Sequence, residues 1–73
     1  MDRSERACLI ADRLTEAIKN SGKSLYGIEK RLAITSTQFK SYMRGKHIPS
    51  PLILADLCEY FGVSMDWVCG LDG

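Results

Sequence analysis

The chain has 73 residues, which allows one domain (residues 1–73) with one small hydrophobic core. Apolar residues make up 45% and charged residues 26%, as in a folded globular chain rather than a disordered one. No run of about 18 apolar residues occurs, so no membrane span is predicted, and no signal peptide is predicted either. Cys8, Cys58 and Cys69 form no CxxC pair, and we expect buried free thiols in a reducing compartment.

Apolar residues recur at helical spacing from the first segment onward, and strand-like alternation is nearly absent. The first predicted helix extends from about residue 4 to residue 20. Its apolar stripe consists of Ala7, Ile10, Ala11, Leu14, Ala17 and Ile18. Gly22 ends this helix, because glycine adopts the left-handed conformation that is common after a helix.

Two short helices are predicted next, within residues 24–45. Ser24 can cap the second helix, whose inward stripe is Leu25, Ile28 and Leu32. Thr35 and Gln38 form a capping box, in which each side chain satisfies a backbone donor of the other residue. A third helix therefore begins there and stops at Gly45. About three residues join the two helices, which predicts a sharp angle between them.

The fourth and fifth helices have similar start and stop signals. Ser50 can cap the fourth helix, Pro51 fits its first turn, where no backbone donor is needed, and Gly62 ends it. Its buried stripe is Leu54, Leu57, Cys58 and Phe61. Ser64 and Gly70 bound a short fifth helix that carries Met65, Trp67, Val68 and Cys69. The sequence therefore predicts a compact all-α domain of five helices.

The third helix has two different faces. Phe39, Tyr42 and Met43 share one face and are expected in the core. The opposite face carries hydroxyls and cations and no carboxylate: Thr37, Lys40, Ser41 and Arg44. A DNA-reading helix needs both faces, because the apolar one anchors it and the polar one meets base edges. Such a polar face is also found on any solvated surface helix.

The charge is segregated along the chain. The net charge is only +1, yet residues 17–47 carry seven cations against Glu29 alone, which gives +6. The four charged residues of residues 48–73 are all anions. A basic segment of this kind suits a polyanion such as nucleic acid. We also expect free backbone N–H groups at the start of the third helix to attract phosphate.

Several residues and segments, in this order and spacing, resemble a known family. They are Ser24, Ile28, Leu32, Ile34-Thr35, Phe39, Tyr42, "RGKHIPSP" and "LADLCEYFGVSMDWVCG". Together they resemble the Cro-like phage-repressor helix-turn-helix family, also called Xre-type or lambda-repressor-like, over roughly residues 9–70. The resemblance implies a helix-turn-helix at about residues 24–45 in a DNA-binding transcription regulator, commonly a homodimer on a palindromic operator. It implies a repressor of phage or prophage type in the cytoplasm of a bacterial host, at the nucleoid when bound.

The family's contact positions fall on identifiable residues of this chain. The resemblance implies base contacts from Ser36, Thr37, Lys40 and Ser41. It implies phosphate contacts from Ser24, Tyr26, Arg44 and Lys46, with Tyr26 taking over a contact that Leu25 cannot make.

Two further positions depart from the family pattern. Glu29 replaces a small residue between the motif helices, so we expect it to lean outward or to pair with a cation such as Lys40. Ala33 replaces a turn glycine, at a cost of about 1 kcal/mol if its backbone is left-handed.

Double-stranded DNA and a second copy of the chain are the predicted partners. The expected dimer surface is an apolar patch of Ile48, Pro49, Val63, Met65 and Val68. Trp67 either belongs to this patch or seals the fifth helix onto the fourth within the core. Two alternatives stay open: an antitoxin-type protein-interaction module and a restriction–modification controller protein.

Enzymatic and metal sites lack the residues that they require. His47 is the only histidine, and together with Cys58 and Cys69 it lacks the short ligand spacing of a zinc site. We expect His47 at the surface, where it could donate to a phosphate. The sequence predicts no enzyme, cofactor, metal, membrane contact or small-molecule substrate.

Overall fold

A computed structural model describes residues 2–71, which form five α-helices and no β-strand. The helices are α1 (Arg3–Ser21), α2 (Leu25–Leu32), α3 (Ser36–Met43), α4 (Pro51–Phe61) and α5 (Met65–Cys69). The prediction of an all-α domain with five helices is confirmed, and each helix begins and ends close to the expected residues. Within residues 2–71, no helix is both long and apolar enough to cross a lipid bilayer.

Each helix begins where a short side chain accepts a backbone N–H from its first turn. The predicted capping box of α3 is present: Thr35 Oγ1 accepts from the Gln38 N–H at 3.0 Å, and Gln38 Oε1 accepts from the Thr35 N–H at 3.3 Å. A second capping box, formed by Asp2 and Glu5, begins α1 and was not expected from the sequence. These local bonds explain why the helix starts could be read from the sequence.

The core forms where all five helices meet. Each helix contributes one large, fully buried side chain: Leu14, Ile28, Phe39, Leu57 and Val68. The helix α3 packs on α1 and α2, and its Phe39 ring lies 6.0 Å from the ring of Phe61 in α4. This packing holds α3 from its inner side and leaves the opposite side at the surface.

The turn between α2 and α3 is as tight as predicted. Ala33 has φ 54° and ψ 30°, so its backbone is left-handed. It is the only residue other than glycine with a positive φ in residues 2–71. The left-handed backbone on which the expected cost depended is therefore present. Alanine at this position lowers the stability of the fold by about 1 kcal/mol relative to a residue in an unstrained backbone conformation.

Two backbone carbonyls of α5 accept hydrogen bonds from arginines of α1. Arg13 donates to the Trp67 carbonyl at 2.9 Å, and its guanidinium lies 4.8 Å from the centre of the Trp67 ring. Arg6 donates to the carbonyl of Cys69. Trp67 is half-buried against the core. The tryptophan therefore joins α5 to α1, which the sequence did not indicate.

Two of the residues expected in the dimer patch are buried within the monomer. Val68 is fully buried in the core, and Pro49 is buried as well. Placing Val68 at an interface was wrong, because α5 is short and turns this side chain inward against the other helices. Ile48 and Val63 are half-buried, and Met65 is exposed.

Candidate functional site

The outer side of α3 presents polar and cationic groups at the surface. Thr37, Lys40 and Arg44 are exposed, while Ser36 and Ser41 are half-buried. On the opposite side Phe39 is fully buried and Tyr42 is buried. The helix α3 therefore presents hydroxyls and cations on its outer side, while packing of its inner side holds the helix in place.

The first turn of α3 already has acceptors for two of its backbone donors. Thr35 Oγ1 takes the N–H of Gln38, and Glu29 Oε1 takes the N–H of Ser36 at 2.6 Å. The expectation of free N–H groups that attract phosphate is therefore wrong for these two positions. The competing acceptor comes from α2, seven residues away, where sequence reasoning about α3 alone could not find it.

Glu29 brings a negative charge to the start of α3. Its side chain is exposed and leans outward, as expected. The hydrogen bonds donated by the Ser36 backbone, and then by the Ser36 hydroxyl, lower the pKa of Glu29, and the positive charge of Lys40 adds to this effect. The outer face that the sequence of α3 shows as free of anions thus has one carboxylate at its edge.

The four residues expected to contact phosphate lie at the surface. Ser24, Tyr26, Arg44 and Lys46 are all exposed. Ser24 caps α2 by accepting the Gly27 N–H at 3.2 Å, and its hydroxyl proton stays available for donation.

Some cations of the basic segment are engaged with aromatic rings. Lys23 lies 4.3 Å from the centre of the Tyr60 ring and donates to the Tyr60 carbonyl. Lys30 lies 5.6 Å from the centre of the Tyr26 ring. Counting charges along the sequence therefore overstates the cations that point freely into solvent.

A cleft beside the end of α3 brings together residues that are distant in sequence. It has a volume of about 440 Å³ and is lined by Arg3, Ser4, Ala7, Gly45, Lys46, His47 and Ile48. Sequence reasoning singled out Lys46 and His47 but missed Arg3 and Ser4. No local signal could have found them, because only the packing of the loop after α3 on α1 brings them there.

An apolar groove lies on the other side of Arg3 and Ile48. It has a volume of about 560 Å³, and its lining is Arg3, Arg6, Ile10, Ile48, Pro49, Ser50, Pro51, Leu54, Met65, Cys69 and Leu71. Three of the five residues expected in the dimer patch, Ile48, Pro49 and Met65, line this groove.

The cysteines are free, as expected, but only one of them is buried. Cys58 is buried, Cys69 is half-buried, and Cys8 is exposed, so the expectation of buried thiols was wrong for Cys8. Burial raises the pKa of the Cys58 thiol, and the nearby Cys69 adds to this effect. Among residues 2–71, no three His, Cys, Asp or Glu side chains are grouped so as to hold a metal ion.

Comparison with known proteins gives no match: no family model, no curated protein and no solved structure is similar to this chain.

Proposed function

We propose that this protein is a sequence-specific regulator of transcription that binds double-stranded DNA and inserts α3 into the major groove. The observation that carries the proposal is the two-sided packing of α3. Phe39 is fully buried, whereas Thr37 and Lys40 are exposed on the opposite side. A helix held in this way can offer donors and acceptors to base edges at a fixed depth.

In this proposal the polar residues of the site divide into two roles. Ser36, Thr37, Lys40 and Ser41 meet base edges. Ser24, Tyr26, Arg44 and Lys46 hold phosphates on either side and set the position of α3. The base contacts contribute preference among DNA sequences, and the phosphate contacts contribute affinity that depends on salt concentration.

The proposed regulator acts as a homodimer on a palindromic operator. Two copies of α3 would meet half-sites about 34 Å apart, one turn of DNA. The apolar groove whose lining includes the half-buried Ile48 and the exposed Met65 is the proposed contact surface, and a second copy of the chain is its occupant. The family resemblance adds the expectation of a cytoplasmic repressor of phage or prophage type in a bacterial host.

Selection of duplexes from a random pool tests the proposal directly. We expect one preferred sequence with two inverted half-sites. If each protomer neutralises about three phosphates, the association constant K of the dimer for the duplex should give a slope of about −5 when log K is plotted against log[salt]. Enrichment of no sequence at any salt concentration would overturn the proposal.

Two substitutions separate base contacts from phosphate contacts. Lys46→Ala should weaken binding to all duplexes alike and reduce the salt slope, whereas Thr37→Ala should change which sequence is selected. Lys19→Ala removes an exposed cation from the last turn of α1 and is the control. The same uniform loss from both site variants would contradict the assigned roles.

A protein-interaction module, such as an antitoxin, is the second candidate function. The groove, with the exposed Leu71 in its lining, favours it, because a contiguous exposed apolar patch marks protein contacts. Co-purification of a second small protein of defined stoichiometry from the native source would favour this candidate. A restriction–modification controller would share the proposed mode of DNA binding.

A further inference from the structure

The cleft between the first turn of α1 and the loop after α3 is built by tertiary packing. The loop turns at Gly45, which has φ 75°. A Cβ at Gly45 would lie 3.6 Å from the Cα of Cys8 and 3.7 Å from the carbonyl oxygen of Ala7, so the loop backbone rests directly on α1. This contact sets Lys46 and His47 opposite the first turn of α1.

The lining of the cleft has the composition of an anion site. Arg3 and Lys46 supply two positive charges, His47 an imidazole and Ser4 a hydroxyl. All four are exposed, and no aspartate or glutamate among residues 2–71 lines the cleft. An anion that enters it would meet donors from two separate segments of the chain.

Two carboxylates next to Arg3 and Ser4 in sequence, those of Asp2 and Glu5, are occupied in capping α1. The Asp2 carboxylate accepts the Glu5 N–H at 2.8 Å, and the Glu5 carboxylate accepts the Asp2 N–H at 3.4 Å. Both residues line a different depression, on the other side of Ser4. Since Asp2 takes a backbone donor of the first turn, the side chains of Arg3, Lys46 and His47, rather than the end of α1, would hold the anion.

We propose that this cleft is a phosphate-binding site, in which Arg3, Lys46 and His47 surround a phosphate group and Ser4 donates its hydroxyl. Guanidinium and ammonium groups bind phosphate through charge-assisted hydrogen bonds. The phosphate belongs either to the DNA backbone or to a small phosphorylated molecule. The first source rests on the proposed function, and it would add α1 to the DNA-contacting surface; the second does not depend on it.

Titration with inorganic phosphate tests the site without DNA. We expect saturable amide shifts in a ¹H–¹⁵N spectrum at Ser4 and at residues 45–47, measured against chloride at equal ionic strength. The double variant Arg3→Ala/His47→Ala should lose these shifts, and Lys19→Ala, at the far end of α1, should retain them. Shifts that persist in the double variant, or that appear equally at Lys19, would overturn the proposal.

Arg3→Gln is a second variant, which removes the positive charge and keeps a shorter polar side chain. Its far-UV circular dichroism and thermal midpoint should match those of the unmodified chain, because Arg3 is exposed. A folded Arg3→Gln chain that binds inorganic phosphate as tightly as the unmodified chain would also overturn the proposal.

Binding to the selected duplex distinguishes the two sources of phosphate. If the cleft holds a DNA phosphate, Arg3→Ala should lower the magnitude of the slope of log K against log[salt] by about one per protomer. This change corresponds to about a tenfold loss of affinity per protomer at 0.1 M salt relative to 1 M. If the salt slope is unchanged while the phosphate titration is positive, the ligand is a small phosphorylated molecule.

The two proposals can fail separately. If the unmodified chain selects no duplex but binds phosphate at Ser4 and residues 45–47, the proposed function falls and the cleft remains a phosphate site. If the chain selects an operator, shows no phosphate shifts in the cleft and keeps its salt slope in Arg3→Ala, the cleft proposal falls and the proposed function remains.

Discussion

Ala33 adopts the left-handed conformation that a glycine would take at lower energy. Removing its Cβ should relieve the contact between that atom and the following carbonyl. We expect Ala33→Gly to raise the free energy of unfolding by about 1 kcal/mol, less the entropy that a glycine adds to the unfolded chain. Urea denaturation followed by circular dichroism measures the change.

Ala55 provides the matched control for this substitution. It is an exposed alanine within α4, where the backbone is helical. Ala55→Gly should lower the free energy of unfolding by about 1 kcal/mol, because glycine is the poorer helix former. If both substitutions destabilise the protein equally, the left-handed conformation of Ala33 carries no strain.

Glu29 makes stability depend on pH through its bond to Ser36. The pKa of its carboxyl is below the ordinary value of 4.5 in the folded chain, so its ionised form favours folding. This contribution is present above pH 4.5 and is lost as the pH falls through the lower folded pKa. The free energy of unfolding of the unmodified chain should therefore approach that of Glu29→Gln as the pH falls below 4.5.

Denaturation of both chains between pH 3 and pH 7 checks this expectation. Glu16→Gln, which removes an exposed carboxylate from α1, is the control for a general change in charge. A constant difference between Glu29→Gln and the unmodified chain over the whole range would show that ionisation of Glu29 does not contribute.

At the scale of the helix, the ends of α4 and α5 look alike in the sequence but differ in their surroundings. Gly62 and Gly70 have φ 71° and 77°. A Cβ at Gly62 would have no neighbour within 4 Å, whereas one at Gly70 would clash with Leu9 Cδ2. Gly62→Ala should cost about 1–2 kcal/mol from its backbone alone. Gly70→Ala should cost a further amount of about 0.5–1.5 kcal/mol, the order expected for pushing the Leu9 side chain off its rotamer.

Thermal and urea denaturation of the two variants give the comparison. The additional cost at Gly70 should decrease in Gly70→Ala/Leu9→Ala, because the shorter side chain leaves room for the new methyl group. Equal losses from Gly62→Ala and Gly70→Ala would mean that Leu9 moves aside without cost.

The helices could be predicted from the sequence because their signals are local. Thr35 and Gln38 lie three residues apart, and the bonds between them are those of the predicted box. The site could be predicted only in part. The bond from the Ser36 N–H to Glu29 crosses a turn, and the meeting of Arg3 with Lys46 depends on how the loop after α3 packs on α1. Periodicity carries no information about such contacts.

The burial of Val68 shows a second limit of sequence reasoning. In a helix of five residues, apolar side chains occur on several sides, so the pattern does not say which one faces the core. Packing of Val68 in the core accompanies hydrogen bonds from Arg13 and Arg6 of α1 to the Trp67 and Cys69 carbonyls, 54 and 63 residues away in sequence. The orientation of α5 is therefore a property of the whole fold.

At the scale of the whole molecule, the groove beside α5 should control assembly. Met65 lines it and is exposed, so Met65→Asp places a charge in the proposed dimer contact without disturbing the core. An aspartate also suits the first turn of a helix. We expect binding to a full operator to weaken by on the order of a hundredfold, because the advantage of joining two half-sites is lost.

Sedimentation of the protein with full-site and half-site duplexes measures this effect. Leu52→Asp is the control, since Leu52 is an exposed apolar residue of α4 outside the groove lining. If Met65→Asp binds the full site as tightly as the unmodified chain does, the groove is not the dimer contact.

The meeting of five helices at one centre has a consequence for how the molecule moves. Since each helix contributes one of the five fully buried side chains, none can detach without exposing its own core residue and core residues of the helices it packs against. The slowest amide protons of every helix should then exchange through the same complete opening, with equal free energies. Proposed contact residues of α3 would in that case be rigid before any partner arrives, and recognition would proceed by matching a preformed shape.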